Sequence, residues 1–281
     1  MNIRDALKIQ EIQWAVADQL AEDRLPRVNA VSEPAKVKDT FYTRYGKRTI
    51  DFVIALLALT ITLPVNLVIG IVTFFDVGAP ILFKQQRTGK DGKSFTVYKF
   101  RNMRNTTDEK GQLLPPQMRV TKWGKLVRKT SMDELLNFWS VLRGDMSLIG
   151  PRPLPPQYLH RYSDRHRARL AVRPGLECPP RTGKAAEVRS WQAQFENDVW
   201  YVENVSLKTD VMMLIRLIQF ALDSQSSAAR AEVTRGSFVG YSEENKAMSV
   251  HALPDEYAEA AIRKKGLAAL AGLQQPTVPT A

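Results

Sequence analysis

The protein has 281 residues, of which 44% are apolar, so the chain is long enough to bury a substantial core. Its 40 Lys and Arg against 29 Asp and Glu give a net charge of +11, and the basic excess lies in the middle of the chain. Residues 36–223 carry 30 basic and 17 acidic residues, a net +13. Such a surface attracts nucleic acid, anionic lipid headgroups or phosphorylated substrates. The single cysteine, Cys178, excludes a disulfide framework and a cysteine-rich zinc site.

The first predicted element is an amphipathic helix over residues 3–22. Its apolar side chains recur at helical spacing on one face: Ile9, Ile12, Val16 and Leu20. We expect this face to pack on the main domain or on a second copy of the chain, which leaves a homodimer open. A membrane-surface role is the weaker alternative, since the segment holds more acids than bases. Residues 23–40, which include Pro26, are predicted to form a polar linker.

A long apolar segment runs from Thr49 to Phe75 and carries no charge between Asp51 and Asp76. It exceeds the roughly 20 residues that span a bilayer. Pro64 lies near its middle, where a proline removes a backbone donor and clashes with the preceding turn. Basic residues flank the segment on both sides, whereas a simple span carries its basic excess on the cytoplasmic side. We therefore predict a helix–break–helix membrane hairpin that enters and leaves by one face, with a kinked single span as the alternative.

Short strands and helices are predicted beyond this segment. Residues 80–104 are predicted to form two strands about a glycine-containing turn, and residues 105–120 a polar loop. The spacing of apolar residues predicts helices at five places: 122–129, 132–141, 157–170, 207–222 and 255–273. Residues 144–156, which are rich in Gly and Pro, are predicted to be irregular, and residues 223–250 to be linker.

Two adjacent carboxylates, Asp133 and Glu134, lie at the start of a predicted helix in the segment SMDELLNFW. Ser131 followed three residues later by Glu134 is a capping-box pattern, and an acid such as Asp133 is favoured by the helix dipole. Alternatively, the two carboxylates hold a divalent ion and offer a nucleophile, while free backbone amides bind phosphate. The residues alone leave both interpretations open.

Cationic side chains form two further candidate sites. In the segment RGDMSLIGPRP, Arg152 stands between two prolines, so its direction is set at little entropic cost. Arginine is the side chain best shaped to bind phosphate through two hydrogen bonds, although a turn with a surface arginine is the alternative. Lys99 and Arg101 end a predicted strand, where they are either substrate contacts or a solvated charge pair. Asp198 and Asp210 are candidate acids further along, with surface acids as the alternative.

Together these blocks resemble the bacterial sugar transferase family, the monotopic polyprenyl-phosphate hexose-1-phosphate transferases. The resemblance runs from about residue 45 to residue 222 through KRTIDF, GAPILFKQQRTGKDGKSFTVYKFRNM, TKWGKLVRKTSMDELLNFWSVLRGDMSLIGPRP, RPG and DVWYVENVSLKTD. It implies an α+β fold with a re-entrant membrane hairpin, broken at Pro64, and a small, mostly helical catalytic domain at the membrane face. The corresponding regions are an N-terminal helix and linker (1–44), the membrane hairpin (45–78), the catalytic domain (79–222) and a linker, C-terminal helix and tail (223–281).

The resemblance also implies a two-step reaction. Asp133 is expected to attack the sugar-linked phosphate of a UDP-sugar and release UMP, after which polyprenyl (undecaprenyl) phosphate attacks the phosphosugar–enzyme. Glu134 is expected to hold Mg²⁺. The residues expected to bind substrate are Lys99, Arg101, Arg128, Arg152, Asp198, Tyr201 and Asp210. The expected location is the bacterial inner membrane, in contact with membrane lipid and with the catalytic domain on the cytoplasmic face, at the first membrane step of glycan assembly.

The sequence departs from the family pattern in three places. Leu63 precedes Pro64 where serine is common, and DELL replaces DELP. The stretch Leu176–Gly183, LECPPRTG, stands where the family usually reads like TGWAQV, so the sugar is not identified. Two other classes of protein remain as alternatives. One is a non-catalytic membrane-anchored assembly protein, and the other is a nucleic-acid binder, which we do not expect because no recognised motif is present.

Overall fold

The computed structural model describes residues 2–109, 111, 113–181, 190–222 and 236–267. It mixes helices with short strands, as the sequence predicts. The N-terminal helices are α1 (Ile3–Ala6) and α2 (Gln10–Val31). The prediction that residues 23–40 form a linker is wrong for its first part, because α2 continues through Pro26 to Val31. Val28 of this extension is buried against the catalytic domain, and such packing outweighs the helix-breaking tendency of a proline.

The segment predicted to enter the membrane forms one helix in this structure. A π-helical turn at Tyr42–Gly46 leads into α3 (Lys47–Val77), which continues through Pro64. The structure therefore does not confirm two helices separated by a break. Within the described residues, this helix is the one that is long and apolar enough to cross a membrane by length and composition. Most of its middle is exposed in the isolated chain.

The N-terminal end of α3 is bonded to the catalytic domain. The Arg48 guanidinium donates hydrogen bonds to the carbonyls of Val141 and Leu142, at 2.6 and 2.7 Å. The Asp51 carboxylate accepts the backbone N–H of Leu148 at 3.1 Å. This end of the helix is therefore held against the two elements that follow the Asp133–Glu134 segment.

The C-terminal end of α3 is bonded to the same domain. Thr73 accepts the indole N–H of Trp123 at 3.3 Å, and Asp76 accepts the hydroxyl of Thr121. Gly70 lies against the ring of Phe100. Both ends of the apolar helix thus contact one folded domain, while the stretch between them does not.

The domain predicted to be catalytic begins with an antiparallel hairpin of β1 (Leu82–Thr88) and β2 (Ser94–Phe100), which confirms the predicted strands. Helices α4 (Pro116–Arg119) and α5 (Lys122–Lys129) follow. The predicted helix 132–141 is wrong at its start, since Met132–Glu134 is a 3-10 turn and α6 covers Asn137–Arg143. Strand β3 (Ser147–Ile149) lies within the segment predicted as irregular and pairs in parallel with β4 (Gly175–Glu177).

The second half of the domain is helical. The single helix predicted at 157–170 is instead a 3-10 helix at Pro156–Arg161, α7 (Asp164–Arg167) and a further 3-10 turn. Ser163 divides them because its hydroxyl accepts the N–H of His166 and so starts a new helix. Helix α8 (Trp191–Asn204) was not predicted, whereas α9 (Leu207–Leu222) has the predicted bounds.

The two ends of the chain form one unit, which we call the terminal module (residues 2–31 and 236–267). Its C-terminal part contains β5 (Phe238–Tyr241), β6 (Ala247–Ser249) and α10 (Asp255–Lys264). The prediction of a linker at 223–250 is therefore wrong for residues 236–250. Strand β5 is buried on both faces, so it lacks the polar–apolar alternation by which a strand is recognised.

The apolar face predicted for the first helix is used within the chain. Its residues Ile12, Val16 and Leu20 are fully buried in a cluster with side chains of β5 and α10. This favours the intramolecular alternative for that face over a contact with a second copy. Helix α10 ends at Lys264, so the prediction of a helix is wrong for residues 265–267, which form a turn around Gly266 at positive φ. The rest of the predicted helix and the tail lie outside the described residues.

Candidate active site

Glu134 lies at the centre of a charged cluster between β2 and the loop after β3. Its Oε1 atom accepts Lys99 Nζ at 2.5 Å and Arg152 Nη2 at 3.1 Å. Burial alone would raise the pKa of Glu134, but Arg152 and Lys99 together hold it below the usual glutamate value. Glu134 is thus ionised and binds two cations from distant parts of the chain.

The capping-box interpretation of Glu134 is wrong. Ser131 has a left-handed backbone (φ 55°) and makes no capping hydrogen bond with its side chain. The residues after it form a 3-10 turn instead of the first turn of an α-helix. Glu134 therefore faces the cationic cluster instead of the backbone of its own turn.

Asp133 differs from its neighbour. Its side chain is buried, and no ion pair holds it within the part of the chain that the structure describes. Burial raises the pKa of Asp133, the adjacent Glu134 raises it further, and Lys99 and Arg128 oppose this shift. Asp133 is therefore a buried carboxylate whose proton is held more tightly than that of an ordinary aspartate.

Arg152 joins two carboxylates. Its Nη2 atom binds Glu134, and its Nη1 atom lies 3.1 Å from Oε2 of Glu177. Both carboxylates, Glu177 first, raise the pKa of Arg152. The side chain remains 42% exposed, so the guanidinium can also meet a ligand. Glu177 was not singled out from the sequence, and it lies in the stretch that departs from the family pattern.

The loop that carries Arg152 is fixed by contacts with Gly175 and Arg169. Gly175 is in such close contact with Gly150 that a Cβ atom there would lie 2.1 Å from the Gly150 nitrogen. The carbonyl of Arg152 accepts Nη2 of the buried Arg169 at 2.8 Å. Arg169 in turn donates two hydrogen bonds to Asp198, at 3.0 and 2.9 Å. The structure thus places Asp198 behind the site, in a buried ion pair that supports Arg152.

Tyr201 and Asp210 belong to a second polar cluster. The Tyr201 hydroxyl lies 2.6 Å from Oδ1 of Asp210 and 3.1 Å from the carbonyl oxygen of Ile149. Oδ2 of Asp210 accepts Tyr42 and Lys47, at 2.5 and 2.8 Å. These contacts join α8 and α9 to the start of α3, and none of them involves the residues around Glu134.

The remaining predicted cations lie at the edge of the site. Arg101 donates to the carbonyl of Val77 at the end of α3, and its Nε and Nη1 atoms are buried without a partner in the described structure. Arg128 is exposed at the end of α5, where its charge lowers the pKa of Asp133. The charge of Arg128 therefore acts on Asp133, whereas Arg101 is hydrogen-bonded to the end of α3.

Arg87 is a cation of this site that the sequence did not single out. It pairs with Phe95 in the β1–β2 register, and Phe83 pairs with Lys99, so Arg87 and Lys99 share one face of the hairpin. Burial lowers the pKa of Arg87, and the positive charge of Arg152 lowers it further. The alternation of β1 was the available signal, because it places Arg87 on the face that also carries Lys99.

Asp133 and Glu134 fit a magnesium site of one particular kind. Mg²⁺ is usually held by one or two carboxylates together with phosphate oxygens of the substrate. No group of three or more His, Cys, Asp or Glu side chains that could hold a metal is present among the described residues. Both cations bind Oε1 of Glu134, and no hydrogen bond to its Oε2 is present in the described structure. The residues therefore fit Mg²⁺ only as a site completed by a phosphorylated ligand.

The family model described as bacterial sugar transferase matches residues 42–224, which include every element of the charged cluster. The chain belongs to the bacterial sugar transferase family. This confirms the family predicted from the motifs. The terminal module lies outside the matched residues.

Relatives support the same assignment. The chain is 41% identical over 198 residues to the uncharacterized sugar transferase EpsL of Bacillus subtilis (strain 168), with 69% of this chain and 96% of that protein covered. It is 34% identical over 183 residues to UDP-N-acetylgalactosamine-undecaprenyl-phosphate N-acetylgalactosaminephosphotransferase of Aeromonas hydrophila, covering 63% of this chain and 43% of that protein. It is 33% identical over 207 residues to undecaprenyl-phosphate galactose phosphotransferase of Salmonella typhimurium, covering 64% and 41%. The chain therefore spans less than half the length of the last two transferases.

Proposed function

We propose that this protein transfers a sugar 1-phosphate from a UDP-sugar to polyprenyl (undecaprenyl) phosphate. The observation that carries the proposal is the pairing of Asp133, a buried carboxylate with no ion pair among the described residues, with the cation-bound Glu134. A reactive carboxylate beside Lys99 and Arg152 suits attack on a phosphate, because the cations offset the repulsion between two anions. The names of the relatives from Aeromonas hydrophila and Salmonella typhimurium support the same acceptor.

In the first step, an oxygen of Asp133 forms a bond to the sugar-linked phosphorus of the UDP-sugar. The bond from that phosphorus to the oxygen bridging it to UMP breaks, and the electron pair leaves with UMP. Asp133 must be ionised for this attack, and its raised pKa makes the ionised form a stronger base and nucleophile than an ordinary aspartate. Arg152 and Lys99 stabilise the negative charge that develops on the phosphate oxygens.

In the second step, an oxygen of polyprenyl phosphate attacks the same phosphorus. The bond from that phosphorus to Asp133 breaks, the carboxylate is regenerated, and the sugar phosphate leaves joined to the lipid as a polyprenyl diphosphate sugar. Glu134 would hold Mg²⁺ during the cycle, and the ion would add positive charge beside the phosphates. We place this reaction at the first membrane step of glycan assembly.

The contacts of α3 support a re-entrant topology. A helix that spans the bilayer has its ends on opposite sides of a hydrocarbon core about 30 Å thick. Here, Arg48 at one end and Thr73 at the other are bonded to the same domain, which favours both ends lying on one face. The exposed apolar middle, around Pro64, would then lie within one leaflet. We place the catalytic domain on the cytoplasmic face of the inner membrane.

The test is release of UMP by the purified protein, given a panel of UDP-sugars and undecaprenyl phosphate in detergent or nanodiscs. We expect UMP release to need both Asp133 and a divalent ion, and we expect a sugar diphosphate lipid as product. Binding of undecaprenyl phosphate with no UMP release from any donor would overturn the proposal in favour of a non-catalytic assembly protein.

A further inference from the structure

Glu177 is a carboxylate of the site that the reaction above does not use. It ends β4, where its carbonyl accepts the N–H of Gly150 at 3.2 Å. Its Oε1 atom accepts the N–H of Cys178 at 3.2 Å, and its Oε2 atom lies 3.1 Å from Arg152 Nη1. The side chain is nevertheless 38% exposed. Glu177 is therefore held in one place and still open to a ligand.

The guanidinium of Arg152 sets the position of Glu177 relative to the chemistry. One of its terminal nitrogens faces Glu134, next to the nucleophile proposed above, and the other faces Glu177. On the proposed function, the phosphorus attacked by Asp133 lies at the Glu134 side of this guanidinium. In the donor, that phosphorus carries two substituents, the sugar and UMP. Glu177 lies on the opposite side of the Arg152 guanidinium from Glu134, and can therefore face one of these two substituents.

Charge decides which substituent Glu177 can face. A carboxylate repels the second phosphate of the donor but accepts hydrogen bonds from sugar hydroxyls or an amide N–H. Two cations suited to that second phosphate, Arg87 and Lys99, share one face of the β1–β2 hairpin. The edge occupied by Glu177 therefore suits an uncharged sugar better than the nucleotide.

A purely orienting role for Glu177 fits the geometry less well. The loop of Arg152 is already fixed by its neighbouring prolines and by Arg169, which binds the Arg152 carbonyl. A carboxylate on the guanidinium also competes with the phosphate that Arg152 is proposed to bind. The geometry therefore favours a contact between Glu177 and the substrate over a role in orienting Arg152.

We infer that Glu177 contacts the sugar of the donor and disfavours donors whose sugar carries a carboxylate of its own. The inference rests on the proposed function. It assigns this role to Glu177 alone, which lies in the described part of the stretch where the sequence departs from the family pattern.

The experiment compares kcat/KM for UMP release from UDP-hexoses or UDP-N-acetylhexosamines with that from UDP-hexuronates, in full-length wild type and Glu177→Gln. We expect the wild type to favour uncharged donors. In Glu177→Gln we expect the ratio to move toward the hexuronate by about tenfold or more, because like-charge repulsion is removed. Glu259→Gln on α10, an exposed acid far along the chain, is the matched control and should leave the ratio unchanged.

Two outcomes would overturn the inference while leaving the proposed function intact. One is an equal fall in kcat/KM for both donor classes, which would mean that Glu177 only orients Arg152. The other is a wild type that prefers the hexuronate. If Glu177→Gln lowers the melting temperature, Glu177→Asp, which keeps the charge, should retain the wild-type preference, and its loss would count against the inference. Release of UMP from no donor by the wild type would instead overturn the proposed function, and the inference with it.

Discussion

Asp133 and Glu134 are neighbours in the chain, yet their pKa values shift in opposite directions. Asp133 is buried without an ion pair in the described structure, and Glu134 binds Lys99 and Arg152 through one oxygen. Two adjacent carboxylates in different protonation environments can take different roles, one as nucleophile and one as anionic support.

Replacing Asp133 with Asn should abolish turnover, by about 10³-fold or more, because the amide keeps the size of the side chain and removes the nucleophile. Wild type incubated with donor alone should carry a phosphosugar on this residue, visible by intact-protein mass spectrometry. Asp91→Asn, at an exposed turn, is the matched control and should retain activity. Substantial turnover in Asp133→Asn would remove Asp133 as the nucleophile.

The raised pKa of Asp133 predicts how pH acts on activity and stability. Activity should fall on acidification at a pH above the ordinary aspartate value of about 3.9, since the nucleophile must be ionised. The folded state binds this proton more tightly than the unfolded state, so the contribution of Asp133 to stability falls as pH rises through the folded pKa. Asp133→Asn removes that cost. Its melting temperature should therefore exceed that of the wild type at neutral pH, with the difference shrinking in acid. A lower melting temperature at neutral pH would contradict the burial argument.

Glu134→Gln should lose activity by orders of magnitude and should also lose a little stability. The lowered pKa means that the ionised form stabilises the fold above the unfolded pKa, and this stability is lost as pH falls through the folded pKa. The partners are partly exposed, so we expect a loss of only about 1 kcal/mol at neutral pH, measured by denaturant unfolding.

Wild-type activity should disappear in EDTA and return with Mg²⁺. Activity that persists in EDTA would remove magnesium from the mechanism.

The substitution Asp198→Asn tests whether Asp198 stabilises the site through Arg169 or contacts the substrate. Arg169 would remain buried with its charge unpaired, which costs about 3–5 kcal/mol and loosens the loop that carries Arg152. We expect a large loss of unfolding free energy together with reduced kcat. A normal melting temperature with a raised KM for the UDP-sugar would instead indicate that Asp198 touches the substrate.

The topology of α3 can be tested in intact cells. In a Cys178→Ser background, single cysteines introduced at Ala30 and at Lys90, which are both exposed, should react from the same, cytoplasmic, side of the membrane. Pro64→Leu should favour a straight span, pull one end of α3 from the domain and lower activity. Labelling of one of the two positions from outside, but not the other, in the protein with Pro64 intact would show that α3 crosses the bilayer.

Strands and helices could be predicted where the pattern of apolar residues within the segment itself determines the structure. The alternation in residues 82–100 and the apolar spacing in residues 207–222 correspond to observed strands and an observed helix. The charged cluster could be predicted as a set of residue types, but the partners of each charge could not. Asp198 proved to lie behind the site because Arg169, which is distant in sequence, binds it. Pro26 inside α2 and the buried strand β5 were missed since tertiary packing outweighs local propensity at both places.

The terminal module joins the first helices of the chain to strands made more than 200 residues later, as in the hydrogen bond from Arg24 to the carbonyl of Tyr241. During synthesis, the apolar face of α2 emerges from the ribosome long before β5 exists to cover it. Contacts of such long sequence separation form late and slowly, because a large loop must close first. The nascent protein must therefore keep an uncovered apolar helix from aggregating until its last strands are translated.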